Sequence, residues 1–122
     1  MTAGSEQSYA KLAVEHWRLI RVLTRLVDRL PVESQARVAA QARFASAQLD
    51  SAMSDQGLSL TTFDGRLFEP SLPVTAVNAE DYPGLADLVV SETVEPTVIA
   101  DGRVIQLGKV IVSPGGADAS RN

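Results

Sequence analysis

The sequence has 122 residues, which is enough for one compact domain or for two small units that share a junction. Hydrophobic residues make up 45% and charged residues 21%, an ordinary globular balance that argues against a wholly disordered chain. The net charge of -4 argues against nucleic acid as the main ligand, and the absence of cysteine excludes disulfides and thiolate nucleophiles.

The first predicted element is a helix from about Ser5 to Leu30, in which apolar residues recur in alternating steps of three and four. This spacing forms a heptad seam along one helix face. A second apolar row runs beside the seam, so the stripe is wider than a two-stranded coiled coil needs and favours a bundle. The seam consists of Tyr9, Leu12, His16, Leu19, Leu23, Leu26 and Leu30, and the second row of Ala13, Trp17, Ile20 and Val27.

Pro31 predicts the end of this helix, because proline lacks a backbone N–H and disfavours helical geometry in the preceding residue. A second helix is predicted from about Glu33 to Gln56, with Gly57 as its C-terminal cap. Its small side chains bury too little area to stabilise it alone, so it needs the first helix. Its seam is Val38, Ala42, Ala45, Leu49 and Met53.

The two helices are expected to form a hairpin that leaves one flank of the first helix uncovered. A contiguous exposed apolar patch usually marks an interface. We therefore expect two copies to meet along their first helices in a homodimeric four-helix bundle. The expected dimer interface is Leu12, His16, Trp17, Leu19, Ile20, Leu23, Leu26 and Val27, with Trp17 and Ile20 also suited to the bundle core.

After Gly57 the helical spacing disappears, and turn residues punctuate short β-branched runs. The dipeptides Asp64-Gly65 and Asp101-Gly102 are typical of hairpin turns. The expected strands are Leu58 to Phe63, Val74 to Val77, Leu88 to Val94, Thr97 to Ala100, Val104 to Leu107 and Lys109 to Val112. The fold is thus predicted to be α+β, with a helical hairpin at 1–57, a small all-β head at 58–113 and a disordered tail at 114–122.

The residue types give little support to catalysis. His16 is the only histidine and lies on the seam, so a packing or interface role outweighs a catalytic one. Loop carboxylates such as Glu69 and Glu92 are scattered and are more often solvating than catalytic, and a hydrolase built on them is the weakest alternative. No glycine-rich phosphate cradle is present. We predict a binding protein that is not an enzyme and needs no cofactor or metal.

A basic run, Arg18, Arg21, Arg25 and Arg29, follows the first helix. Without interleaved aromatic residues it is interpreted as a solvated face, or as an ion-pairing surface across the dimer, instead of a phosphate-binding track. Residues 1–7 show no leader, and no apolar run approaches the roughly 20 residues that span a bilayer. We expect a cytoplasmic protein with neither a membrane nor a nucleic-acid partner.

Several short motifs follow one another in the second half of the chain. They are Phe68-Glu69-Pro70, the run Val74 to Val77, the corner Pro83-Gly84, the turn Asp101-Gly102-Arg103 and the run Val110 to Val112. In this order, the stretch from Leu67 to Val112 resembles the C-terminal β head of the GrpE family, the nucleotide exchange factors of DnaK-type chaperones. Upstream, a helix, a proline-marked break, a second helix and Gly57 repeat the order of that family's short bundle and head.

The chain also departs from the family pattern. Leu72-Pro73-Val74 stands where the family has a His-x-Ala stretch, Glu95-Pro96 replaces a Gly-Tyr pair, and Gln106-Leu107-Gly108 replaces Arg-Pro-Ala. The family's long N-terminal paired helix is nearly absent. The resemblance therefore indicates a divergent, N-terminally short relative.

The resemblance implies a homodimeric co-chaperone of the stress response. Its head would bind the nucleotide-binding domain of a DnaK-type chaperone and promote ADP release by favouring an open cleft. The implied partner-binding residues are Arg103, Val112 and Phe68; the alternatives are an ordinary exposed turn residue for Arg103 and a strand core residue for Val112. The alternative function is a dimeric scaffold or adaptor that binds another protein partner without exchange activity.

Overall fold

The structure, a computed structural model, describes residues 3–84 and 87–115. Helix α1 spans Ala3–Leu26, a 3-10 turn follows at Val27–Arg29, and helix α2 spans Val32–Asp55. The strands are β1 at Leu58–Thr61, β2 at Val74–Ala76, β3 at Leu88–Glu95, β4 at Thr97–Ala100, β5 at Arg103–Gln106 and β6 at Gly108–Pro114, with a second 3-10 turn at Ala79–Asp81. The predicted α+β order of a helix pair followed by six strands is confirmed.

The helix ends follow the predicted chemistry with one difference. The α-helical part of the first helix stops at Leu26, four residues before the predicted end, and tightens into the 3-10 turn. Leu30 is extended, with φ -84° and ψ 159°, as a residue before proline must be. Gly57 adopts φ +72° just after α2, a left-handed conformation that glycine tolerates best and that ends the helix as predicted.

The head consists of two three-stranded sheets. The first sheet has the order β1-β4-β5 and is antiparallel. The second sheet has the order β2-β6-β3, with β2 parallel and β3 antiparallel to β6. The chain leaves the second sheet at Pro96, forms the β4–β5 hairpin of the first sheet, and returns to the second sheet at Leu107. The turn of that hairpin consists of Asp101 and Gly102, which both have positive φ.

Two hydrophobic cores stabilise the fold. The first core joins the hairpin to the first sheet and contains Ala10, Ala13, Val14, Leu49, Met53, Leu58, Val98 and Ala100. The second core lies under the second sheet and contains Phe63, Leu88, Val90, Val110 and Val112. The expected division at residues 57 and 58 therefore marks the change from helix to strand but does not separate two cores.

The two sheets meet at a buried polar joint. The Thr97 hydroxyl donates a hydrogen bond to the Pro73 carbonyl oxygen at 2.7 Å and accepts one from the Gly108 N–H at 3.1 Å. A Cβ atom on Gly108 would lie 2.6 Å from the Glu95 carbonyl oxygen, so only glycine fits this crossing without a shift. The joint fixes one sheet against the other.

The end of the described chain differs from the predicted tail. Strand β6 continues to Pro114, and the N–H of the buried Gly115 donates to the Asp87 carbonyl oxygen at 3.2 Å. The first two residues of the expected disordered tail are therefore packed on the head, and the remainder, residues 116–122, lies outside the described residues. Neither helix in the described part of the chain has the length and apolar composition that a membrane span requires.

Candidate functional site

Helix α1 carries apolar residues on two faces. Ala10, Ala13 and Val14 are buried in the first core on the inner face. On the other face Leu19 is 69% and Leu12 66% exposed, and Leu23 and Leu26 are exposed as well. We call this second face the outer stripe: Leu12, His16, Leu19, Leu23 and Leu26.

The outer stripe contains five of the eight residues expected at a dimer interface. The other three, Trp17, Ile20 and Val27, are half-buried and turn toward α2. Trp17 and Ile20 pack against the first core, and all three line a groove of about 430 Å³ between the helices. Because α1 also packs on the head, part of its second apolar row is used within the chain, and the place of these three residues in a dimer interface stays a prediction.

The head packs on the side of α1 away from the outer stripe. Arg18, Arg21 and Arg25 point to the head, and at 3.6 residues per turn the stripe is centred roughly 150° round the helix from this arginine row. On the α2 side the stripe borders a groove of about 280 Å³. No described element of the chain covers the stripe itself, and it contains no Lys, Arg, Asp or Glu.

The arginine row forms ion pairs inside the chain. Arg25 lies 2.8 Å from a Glu92 carboxylate oxygen, Arg21 3.2 Å from Asp64, and Arg18 3.6 Å from Glu95. The partners of these three arginines lie within the chain, which differs from the expected pairing across a dimer, while Arg18 and Arg25 keep about half of their side chains exposed, as expected of a solvated face. The row connects α1 to the head, although each pair is partly exposed and contributes only about 0–1 kcal/mol.

Arg103 is the most accessible of the three residues that the family resemblance implied as partner contacts. It directly follows the Asp101-Gly102 turn, and its side chain is 61% exposed. Its guanidinium lies 3.5 Å from a carboxylate oxygen of Glu6 on α1, an exposed pair that a partner carboxylate can displace at little cost. Arg103 is therefore available for binding at the edge of the head.

Phe68 and Val112 have different surroundings. Phe68 is half-buried against the second core, and its N–H donates to the Leu88 carbonyl oxygen at 2.7 Å. Val112 is 1% exposed, and the Asn78 side chain both donates to its carbonyl oxygen and accepts from its N–H at 2.9 Å. The expected contact of the Val112 side chain with a partner is therefore wrong, because this residue belongs to the core.

Three carboxylates of the head form ion pairs with basic residues. Glu92, Asp64 and Glu95 all pair with arginines of α1, and Glu95 is also 3.9 Å from the Lys109 ammonium nitrogen. Within residues 3–84 and 87–115, no three His, Asp or Glu side chains come together in a way that would hold a metal ion. These carboxylates serve the packing of the head on the helix.

Sequence reasoning missed the buried polar residues that organise the head. Thr97, Thr93 and Asn78 each bind backbone groups of distant segments, and Thr93 accepts the Phe63 N–H at 3.1 Å. Their partners lie between 11 and 34 residues away along the chain. No local pattern distinguishes such a residue from an ordinary strand threonine or loop asparagine.

The comparisons with known proteins identify no relative. No protein-family model, no curated protein and no solved structure matches this chain. The resemblance to the GrpE family consequently rests on the motifs and on the order of elements.

Proposed function

We propose that this protein is a homodimeric GrpE-like co-chaperone that promotes ADP release from a DnaK-type chaperone. The supporting observation is a hairpin with a free apolar stripe that carries, on its other side, a two-sheet head with Arg103 exposed at a tight turn. One surface is then available for a second copy and a separate one for the chaperone. The order of helices, turn and strands is the one that the resemblance implied.

The second copy would pack on the outer stripe. A two-fold interface uses the same patch on both subunits, and an apolar, charge-free stripe is complementary to itself. From Leu12 to Leu26 the stripe is about 21 Å long at 1.5 Å per residue, which suits a four-helix bundle. The bordering residues of α2, Gln48 and Ala52, are uncharged and let the facing helix approach.

The head would act by binding and not by chemistry. A protein shifts a chaperone toward an open nucleotide cleft only when it binds that state more tightly than the closed one. Such a wedge must be stiff, and the head meets this need through the buried Thr97 joint between its sheets. The first core and the arginine row also fix the head on α1, so each protomer presents Arg103 in a defined place.

Stopped-flow release of a fluorescent ADP analogue from candidate DnaK-type chaperones tests the exchange activity. The wild-type protein is expected to accelerate release, and Arg103→Ala to reduce the acceleration at least tenfold, equivalent to about 1.4 kcal/mol of binding free energy. Arg66→Ala is the matched control, since Arg66 is another exposed arginine of the head but lies on a different loop. No acceleration with any candidate chaperone would refute the proposed activity.

Sedimentation equilibrium tests the proposed dimer. Leu19→Glu places a charge on the stripe and is expected to give monomers at concentrations at which the wild type is dimeric. Phe44→Glu is the control, because Phe44 is 62% exposed on α2 but lies outside the stripe. A dimer that survives Leu19→Glu but not Phe44→Glu would place the interface elsewhere.

The burial of Val112 favours a second candidate function, a dimeric adaptor with the same fold. One of the three implied chaperone contacts is unavailable, and Glu6 partly engages another, Arg103. An adaptor would keep the dimer and the head surface while binding a protein without a DnaK-type ATPase domain. Dimerisation without any acceleration of ADP release, together with a purified partner of that kind, would favour this function over the first.

A further inference from the structure

We propose that His16 makes the homodimer sensitive to protons, so that mild acidification separates the two copies. The inference rests on the proposed dimer and concerns how it is regulated. His16 is the one polar residue of the outer stripe. Leu12 and Leu19 flank it one turn away on the same face, so a second copy that covers these leucines also covers the imidazole.

Among the described residues, those that line the groove beside His16 include no acidic side chain. His16 borders the groove of about 280 Å³, whose other lining residues are Tyr9, Leu12, Ala13, Gln48, Leu49, Ala52 and Met53. None of these is charged, and the Tyr9 hydroxyl donates to the Ala52 carbonyl oxygen at 3.3 Å. The head contributes no residue to this groove.

The nearest carboxylate along the helix is paired with an arginine. Glu15 adjoins His16 in sequence, and its carboxylate, on a side chain that is 66% exposed, lies 3.1 Å from the Arg18 guanidinium. A second copy brings the same stripe, because a two-fold interface repeats one patch. In the proposed dimer the two stripes themselves would therefore supply leucines, and no acidic side chain, to either imidazole.

The two protonation states of histidine differ in what burial costs them. A neutral imidazole has one N–H to satisfy, and an amide such as Gln48 beside the groove can accept it. An imidazolium buried without a counter-charge loses its hydration, which is far more costly. The monomer thus binds protons more readily than the dimer, and falling pH favours the monomer.

The expected size of the effect follows from two imidazoles per dimer. Histidine ordinarily changes charge between pH 5 and 8, so each of the two imidazoles is expected to favour the monomer by about tenfold between pH 7.5 and 5.5 when its charged form is excluded from the interface. The dissociation constant is then expected to rise by about 100-fold.

Sedimentation equilibrium at pH 7.5 and 5.5, at one ionic strength, measures this change on the full chain. His16→Leu is expected to give a dimer with the same dissociation constant at pH 7.5 and 5.5. His16→Asn is expected to give a weaker dimer whose dissociation constant also does not change with pH. Circular dichroism at pH 5.5 verifies that each protein remains folded. A wild-type dissociation constant that changes less than threefold, or variants as pH-sensitive as the wild type, would overturn the inference.

Failure of the dimer itself is distinguishable. A wild-type protein that is monomeric at both pH values would refute the proposed dimer, and with it the role of His16. A tight dimer that is indifferent to pH would leave the proposed function intact and overturn only the proton sensitivity. A pH-sensitive wild type with indifferent variants supports both.

Discussion

Replacing Thr97 with valine should destabilise the fold by about 2 kcal/mol, even though the two side chains have nearly the same size and shape. Thr97 is completely buried between the two sheets. Its hydroxyl satisfies the Pro73 carbonyl oxygen and the Gly108 N–H, and valine can satisfy neither. A buried backbone group without a partner costs about 1–3 kcal/mol.

Losing both hydrogen bonds of the Thr97 hydroxyl should lower the free energy of unfolding by less than twice the effect of losing one. The Gly108 N–H already lies 3.4 Å from the Pro73 carbonyl oxygen, so the two groups partly satisfy each other once the hydroxyl is gone. The estimate therefore stays near the value for a single unsatisfied group. Thr97→Ser is the control, because it keeps the hydroxyl and loses only one buried methyl group. Its free energy of unfolding should fall by about 1 kcal/mol.

Urea denaturation at a fixed protein concentration measures the difference, since a dimer's apparent stability depends on concentration. With an m value of about 2 kcal/mol/M, the midpoint of Thr97→Val should fall by about 1 M and that of Thr97→Ser by about half as much. A valine variant as stable as the wild type, or more stable than the serine variant, would refute the role assigned to this hydroxyl.

Two further predictions concern the same head. Gly108→Ala should destabilise the protein by about 1–3 kcal/mol and lower its melting temperature, because the new Cβ would lie 2.6 Å from the Glu95 carbonyl oxygen and cannot be relieved by a side-chain rotation; an unchanged melting curve would contradict this. Arg25→Glu and Glu92→Arg should each lower the free energy of unfolding by less than about 1 kcal/mol, because the 2.8 Å pair is partly exposed. In a double-mutant cycle, the variant that carries both exchanges should recover part of that loss; no recovery would show that the pair does not stabilise the fold.

Local signals in the sequence placed most elements correctly. Pro31 ends the first helix region, Gly57 ends α2, and the Asp101-Gly102 turn closes the β4–β5 hairpin. Each of these depends on backbone preferences of one or two residues, which act wherever the residues occur. The parallel pairing of β2 with β6 was not predictable in this way, because it joins segments more than 30 residues apart.

The sequence alone does not tell which of the two apolar rows of α1 is buried. Spacing identified both rows, but it does not tell which one faces inward when a helix has two neighbours. The structure packs Trp17 and Ile20 inside and leaves Leu12 and Leu19 outside. The acidic partners of the arginine row in the head were equally hidden, because they lie at least 43 residues away along the chain.

The burial of Val112 was predictable from the alternation of side chains along its strand. Side chains alternate across a strand, so Val110 and Val112 share a face, and both are buried in the second core. The family resemblance suggested a surface role instead, and it did so without regard to that alternation. Where a motif and the local pattern disagree about burial, the local pattern is the better guide, because it reflects the packing of this chain.

The positions of the head and of the outer stripe round α1 decide how the proposed dimerisation and the proposed partner binding would relate. The head is attached to the inner face through the first core, and the outer stripe lies roughly 150° away round the helix. A change at Leu19 alters no residue of the head, so a Leu19→Glu monomer should keep the affinity of a single head for its partner. If that affinity also falls, the partner must touch both protomers, and the dimer itself forms part of the binding site.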